Sequence, residues 1–89
     1  MKITIFGTGY VGLVTAGCLA HLNHEVICYD TDIDRIKKLD DGLVPIFEPG
    51  LDDLIAAGIS SEKLIFTSST QEPLKSPDII ILCVGTPDN

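Results

Sequence analysis

Gly7-Thr8-Gly9-Tyr10-Val11-Gly12 spaces three glycines as GxGxxG, and Asp30 lies 18 residues past the last of them. Glycines at this spacing suit the cradling of a pyrophosphate by backbone N–H groups. Gly7 permits a tight turn, Gly9 lets the backbone approach the phosphates with no Cβ in the way, and Gly12 lets a helix pack close against a strand. The amides of Tyr10, Val11 and Gly12, with the positive end of a helix dipole behind them, are then the anion's partners. Asp30 offers a carboxylate that can accept hydrogen bonds from ribose hydroxyls. A 2′-phosphate would meet that charge with Asp32 and Asp34 close by, so NAD is expected rather than NADP. Arg35 is the one cation nearby and can reach an adenosine; the plainer reading is a solvated charge on a helix face. Thr86, within Gly85-Thr86-Pro87, has a hydroxyl and an N–H to offer the nicotinamide half, with a structural turn as the alternative. For Asp30 the alternative is a surface acid at a strand end.

These residues need elements to place them. Lys2 to Phe6 is a β-branched run stopped by Gly7, a strand. Val11, Val14, Cys18 and Leu22 recur at helical spacing and predict a helix directly after the glycine loop. Asn23 suits a left-handed stop. Glu25–Tyr29 reads as the second strand, ending at Asp30. Asp32 can cap a second helix with Ile33, Ile36 and Leu39 inward and Gly42 beyond its end. An ordered loop follows over 43–50, then a short helix from Leu51 to Ala57 with Gly58 as terminator. Leu64–Thr67 is a third strand, and 70–75 a weak helical turn. Ile79 to Val84 is apolar without alternation, as expected of a parallel strand buried on both faces. The series is α/β: a Rossmann-type doubly wound parallel sheet, truncated, in strand order 3-2-1-4. Strands one and four are then neighbours whose connections diverge, and ligands enter at such a point.

Composition narrows the partners. The chain has 89 residues, 45% of them hydrophobic and 21% charged, which fits a globular domain and leaves no room for two. Thirteen acids against six bases give a net charge of −7, which argues against nucleic acid or an anionic membrane surface. No apolar run approaches the ~20 residues of a membrane span. Three cysteines without CxxC spacing suggest a reducing, cytoplasmic compartment and buried structural thiols at Cys18, Cys28 and Cys83. With only His21 and His24 beside them, no metal site is expected.

Three segments together resemble the UDP-glucose/GDP-mannose dehydrogenase family: Phe6-Gly7-Thr8-Gly9-Tyr10-Val11-Gly12, Pro45-Ile46-Phe47-Glu48-Pro49-Gly50-Leu51, and Cys83-Val84-Gly85-Thr86-Pro87. The glycine pattern is generic; the segment from Pro45 to Leu51 is far more specific. The resemblance spans essentially the whole chain and implies that residues 1–89 form the N-terminal part of an NAD-binding Rossmann domain. It implies NAD contacts at Val11, Asp30, Arg35 and Thr86. The Glu48 loop reads as mainly structural, shaping the approach to the third helix, with a direct ligand role as the alternative. Asn23 stands where many members have Gly, a position whose backbone angles Asn also tolerates.

The implied parent is an NAD-dependent nucleotide-sugar 6-dehydrogenase and a homo-oligomer. It oxidises a sugar alcohol to a carboxylate in two steps through a cysteine thioester, and acts on UDP-glucose or, alternatively, GDP-mannose. The thioester cysteine and the nucleotide-sugar domain belong to segments outside these 89 residues. The chain alone is thus expected to lack activity and to meet its UDP-sugar through those domains. A free-standing NAD-binding module is the rival reading.

Overall fold

The computed structural model describes residues 1–45, 48–71 and 75–83. Its elements run β1 (Lys2–Phe6), α1 (Tyr10–His21), β2 (Glu25–Tyr29), α2 (Ile33–Asp40), α3 (Leu51–Ser60), β3 (Leu64–Thr67) and β4 (Ile79–Leu82). The four strands form one sheet in the order β3-β2-β1-β4, as the βαβ rhythm of the sequence implies. All three pairings are parallel, with Ile5 opposite both Cys28 of β2 and Ile81 of β4. Asp78 fixes the entry to β4: its carboxylate accepts from the Lys2 N–H at 2.8 Å, and its own N–H donates to the Lys2 carbonyl at 2.8 Å.

Strand alternation sorts the side chains onto two faces. Ile3, Ile5, Val26, Cys28, Leu64 and Phe66 point into the core, where Leu13, Ala16, Ala20, Leu39 and Ile55 from the helices meet them. The other face carries Ile27, Ile65, Ile80 and Leu82, with Ile80 49% and Leu82 72% exposed. The apolar run of β4 therefore has the composition of a strand buried on both faces, yet it is largely open among the described residues.

Helix α1 buries one large residue fully, Leu13, and otherwise turns small ones inward. Val11, Cys18 and Leu22 are exposed, and the buried stripe is Gly12, Leu13, Ala16, Gly17 and Ala20. The helix has almost no polar residues to mark an outer face, so close approach decides its orientation: small residues let it lie tight on β1 and α3. A Cβ on Gly17 would come within 2.8 Å of Leu54 Cδ2. Cys18 is consequently exposed rather than a buried thiol, whereas Cys28 is buried and Cys83 partly so.

Two helix assignments also change. Ile33 lies exposed at the start of α2, whose inward residues are Ile36 and Leu39. Gly58 does not terminate α3, which runs on to Ser60 before Glu62 turns left-handed at φ 63°. Gly58 is instead a contact residue, since a Cβ there would sit 2.9 Å from Leu64 Cβ and 3.4 Å from Ala20 Cβ. Asn23 (φ 75°) and Gly42 (φ 82°) turn left-handed as expected. The turn anticipated over 70–75 lies partly outside the described residues; Thr70, Gln71 and Lys75 are not helical.

Overpacking against a strand backbone costs about 1–3 kcal/mol, against the ~1 kcal/mol that alanine gains over glycine inside a helix. Gly58→Ala should therefore lose about 1 kcal/mol and several degrees of Tm. Gly17→Ala, which meets the outer atoms of the Leu54 and Ile55 side chains rather than a Cβ, should lose less. Thermal and urea unfolding of the two variants check this; a Gly58→Ala protein as stable as wild type would refute the close approach of α3 to β3.

Candidate functional site

The site lies at the carboxyl ends of β1 and β2, where the chain must leave one strand and start a helix within four residues. Gly7 takes φ 111°, which a side chain rarely tolerates, and its N–H still donates to the Tyr29 carbonyl at 2.8 Å. α1 begins at Tyr10 with Gly9 as its cap, and no side chain caps it. Its first turn bonds from the Leu13 N–H to the Gly9 carbonyl at 2.9 Å. A helix beginning this way leaves the amides of Tyr10, Val11 and Gly12 directed outward at its positive end.

The other two glycines contrast. A Cβ on Gly12 would collide with the Gly7 carbonyl oxygen and come within 3.4 Å of Cys83 Cβ, so this crossing of helix over strand admits no side chain. Among the described residues, a Cβ on Gly9 would meet nothing within 4 Å. None of them demands a glycine there by packing, and the space they leave beside it suits a cradle for an incoming anion. Tyr10 and Val11 are exposed at its rim.

Asp30 closes the opposite side, bordering a hollow of about 100 Å³ with Phe6, Gly7, Tyr29 and Thr31. The Phe6 and Tyr29 rings meet edge to face there at 5.4 Å. The Asp30 carboxylate is held rather than free. Oδ2 accepts from the Thr8 N–H at 3.0 Å and the Thr8 hydroxyl at 2.6 Å, and Oδ1 accepts from the Asp32 N–H at 3.0 Å. Partial burial by itself would raise the carboxyl pKa. The Thr8 hydroxyl, the Asp32 and Thr8 amides and the Arg35 charge outweigh that and hold it below its ordinary value.

Arg35 is not a solvated helix-face charge. Its Nε donates to the Thr8 carbonyl at 3.0 Å and the Thr8 hydroxyl at 2.9 Å, and its Nη2 donates to the same carbonyl at 2.6 Å. Asp32, the α2 cap, accepts from the Arg35 N–H at 3.1 Å and so fixes the base of that side chain. Thr8, one of the unspecified positions of the glycine motif, is thereby gripped at its N–H, carbonyl and hydroxyl and is fully buried. Sequence reasoning passed over it, because no spacing rule links that position to residues 22 and 27 places downstream.

Gly7, Gly9, Tyr10, Val11, Gly12, Asp30 and Arg35 come together at this one edge. Thr86, with Gly85 and Pro87, lies outside the described residues. In the Pro45–Leu51 segment, Gly50 takes φ 84° and caps α3, whose Leu51 is buried. Glu48, Pro49 and Gly50 share a hollow of about 250 Å³ with Tyr10 and Val14 of α1. That placement suits a loop shaping the start of α3 next to the glycine turn. A larger hollow, about 290 Å³, opens among Lys2, Glu25, Lys63 and Lys75 at the amino ends of the strands. Parallel sheets bind ligands at the carboxyl ends, so its size does not make it the site. Among the described residues no group of His, Cys, Asp or Glu could hold a metal ion, and no helix is long and apolar enough to cross a membrane.

A glycine turn tied to the acid of the neighbouring strand, below an uncapped helix start, defines a dinucleotide-binding domain of the Rossmann type. Comparison with known proteins narrows that class. Residues 1–89 match the model of the UDP-glucose/GDP-mannose dehydrogenase family, NAD binding domain, and the chain belongs to that family. It is 46% identical over 87 residues to UDP-glucose 6-dehydrogenase of Rhizobium meliloti, covering 98% of this chain and 20% of the relative. It is also 46% identical over 87 residues to GDP-mannose 6-dehydrogenase of Pseudomonas syringae pv. syringae, with the same coverage. A crystal structure of GDP-mannose dehydrogenase from Pseudomonas aeruginosa superposes with a TM-score of 0.94 at 42% identity, over all of this chain and 20% of that one. The chain thus spans about a fifth of the length of these relatives.

The pH dependence of stability follows from Asp30. Its folded pKa is lowered, so the ionised carboxylate stabilises the fold above the ordinary carboxylate range and loses that contribution as pH falls through the lowered value. In urea unfolding, the stability gap between wild type and Asp30→Asn should stay level from neutral pH to about 5 and narrow below about 4. A gap that does not change with pH would show that the carboxylate is not the group held by Thr8.

Proposed function

We propose that this chain provides the adenosine and pyrophosphate half of an NAD site in a nucleotide-sugar 6-dehydrogenase. The observation behind the reading is the space that the described residues leave at Gly9, flanked by the uncapped start of α1 and the fixed Asp30 carboxylate. Gly7, Gly9 and Gly12 shape the turn, and the amides of Tyr10, Val11 and Gly12 hold the phosphates. Asp30 receives the adenosine ribose, and Arg35 stands next to it on α2. For Thr86 the proposed role, from its hydroxyl and N–H, is at the nicotinamide half. NAD, when bound, supplies a hydride acceptor; these residues bind and orient it.

Neutral backbone donors explain how a chain of net charge −7 can take a dianionic ligand. The acids nearby disfavour a further phosphate on the ribose, which supports NAD over NADP. For the whole protein we propose oxidation of UDP-glucose to UDP-glucuronate with two NAD, in a homo-oligomer of the cytoplasm. The alternative substrate is GDP-mannose, and equal identity to relatives of both kinds supports a choice made elsewhere in the protein. The sugar-nucleotide contacts and the thioester cysteine then belong to other parts of the protein, and Cys18, Cys28 and Cys83 have no part in the chemistry.

Isothermal titration should show NAD binding more tightly than NADP. Asp30→Ala should weaken NAD by about tenfold, as expected for a lost hydrogen bond to a charged group. Equal affinity of wild type and Asp30→Ala for NAD would remove Asp30 from the site.

A further inference from the structure

The Asp30 carboxylate has about four acceptor positions, and three are already filled from within the protein. Oδ2 is saturated by the Thr8 N–H and hydroxyl, whereas Oδ1 carries only the Asp32 N–H. The two oxygens are therefore unequal, and Thr8 makes them so. Its hydroxyl is a relay: it accepts from Arg35 Nε at 2.9 Å and donates its one proton to Asp30 Oδ2 at 2.6 Å. With the Arg35 N–H on one side, that proton has a single direction to take. The relay is fully buried, so water does not compete for it. Its β-branch restricts χ1, which keeps the hydroxyl aimed while the backbone of the same residue is gripped at N–H and carbonyl.

From this geometry we propose that Thr8 is a specificity-determining positioning residue, whose hydroxyl pins Asp30 Oδ2 to the glycine loop and leaves Oδ1 as the acceptor for the cofactor ribose. The proposal rests on the NAD reading above and refines it. Recognition of the ribose and placement of the phosphate loop become one unit, because Thr8 is at once the ligand of Asp30 and part of the turn. Removing the hydroxyl leaves Oδ2 held by the Thr8 N–H alone, which loosens the carboxylate, and unties Arg35 from one of its two acceptors. The loss falls on the dinucleotide that uses the 2′-hydroxyl, and much less on the one that carries a phosphate there.

The test uses the full-length protein and titrates NAD and NADP into wild type, Thr8→Val and Thr8→Ser. Valine keeps the shape and the branch but lacks the hydroxyl; serine keeps the hydroxyl. The expected result is an NAD affinity about tenfold lower in Thr8→Val, NADP affinity little changed, and recovery of most of the loss in Thr8→Ser. Equal NAD affinity in wild type and Thr8→Val overturns the proposal. So does an equal loss for both dinucleotides, which is what a general loosening of the fold would produce.

A second measurement needs no variant. In wild-type protein the Thr8 amide signal should move with the ionisation of Asp30 in an NMR pH titration. A signal that stays still overturns the proposal even where Thr8→Val does not fold. Failure of the cofactor reading is a separate result, wild type binding neither dinucleotide, and it removes the proposal as well.

Discussion

The start of α1 crosses the end of β1 with no room for a single Cβ: Gly12 lies against the Gly7 carbonyl, and Cys83 closes the space from β4. The candidate site is built around that crossing. The crossing brings the positive end of the helix over the sheet edge and turns the first amides outward. Gly7 turns beside it at φ 111°, and Thr8 follows within reach of Asp30 and Arg35. A methyl group at Gly12 would lift the helix and move all of these together.

The second constraint is electrostatic. Thr8, Asp30 and Arg35 form one buried-to-exposed network in which a carboxylate and a guanidinium share a hydroxyl between them. Such a network fixes the loop without a ligand, so less ordering is left to be done on binding. In the proposed site backbone dipoles meet the anion, and the Asp30 carboxylate, held by Thr8 and Asp32, is the acceptor for the ribose.

Local features were legible in the sequence, and paired ones were not. The three glycines, Asp30, the left-handed Asn23 and the order β3-β2-β1-β4 all follow from turn chemistry, strand composition and the βαβ rhythm. The facing of α1 did not follow, because a helix made of Val, Leu, Ala, Gly and Cys shows no polar side; packing against α3 chose the small residues. Gly58 read as a stop because glycine often follows a helix, whereas here it makes room for Leu64. Thr8 was silent for the same kind of reason. Its partners are distant in sequence, and only the fold brings them to one hydroxyl.

In the proposed site the dinucleotide lies over the glycine turn at the carboxyl ends of the strands. Amide chemical-shift mapping during an NAD titration tests it most directly. The largest shifts should fall on Gly9, Tyr10, Val11 and Gly12, with Asp30 and Thr31 next. Shifts centred instead on Lys2, Glu25 and Lys63, around the larger hollow at the opposite ends of the strands, would contradict it.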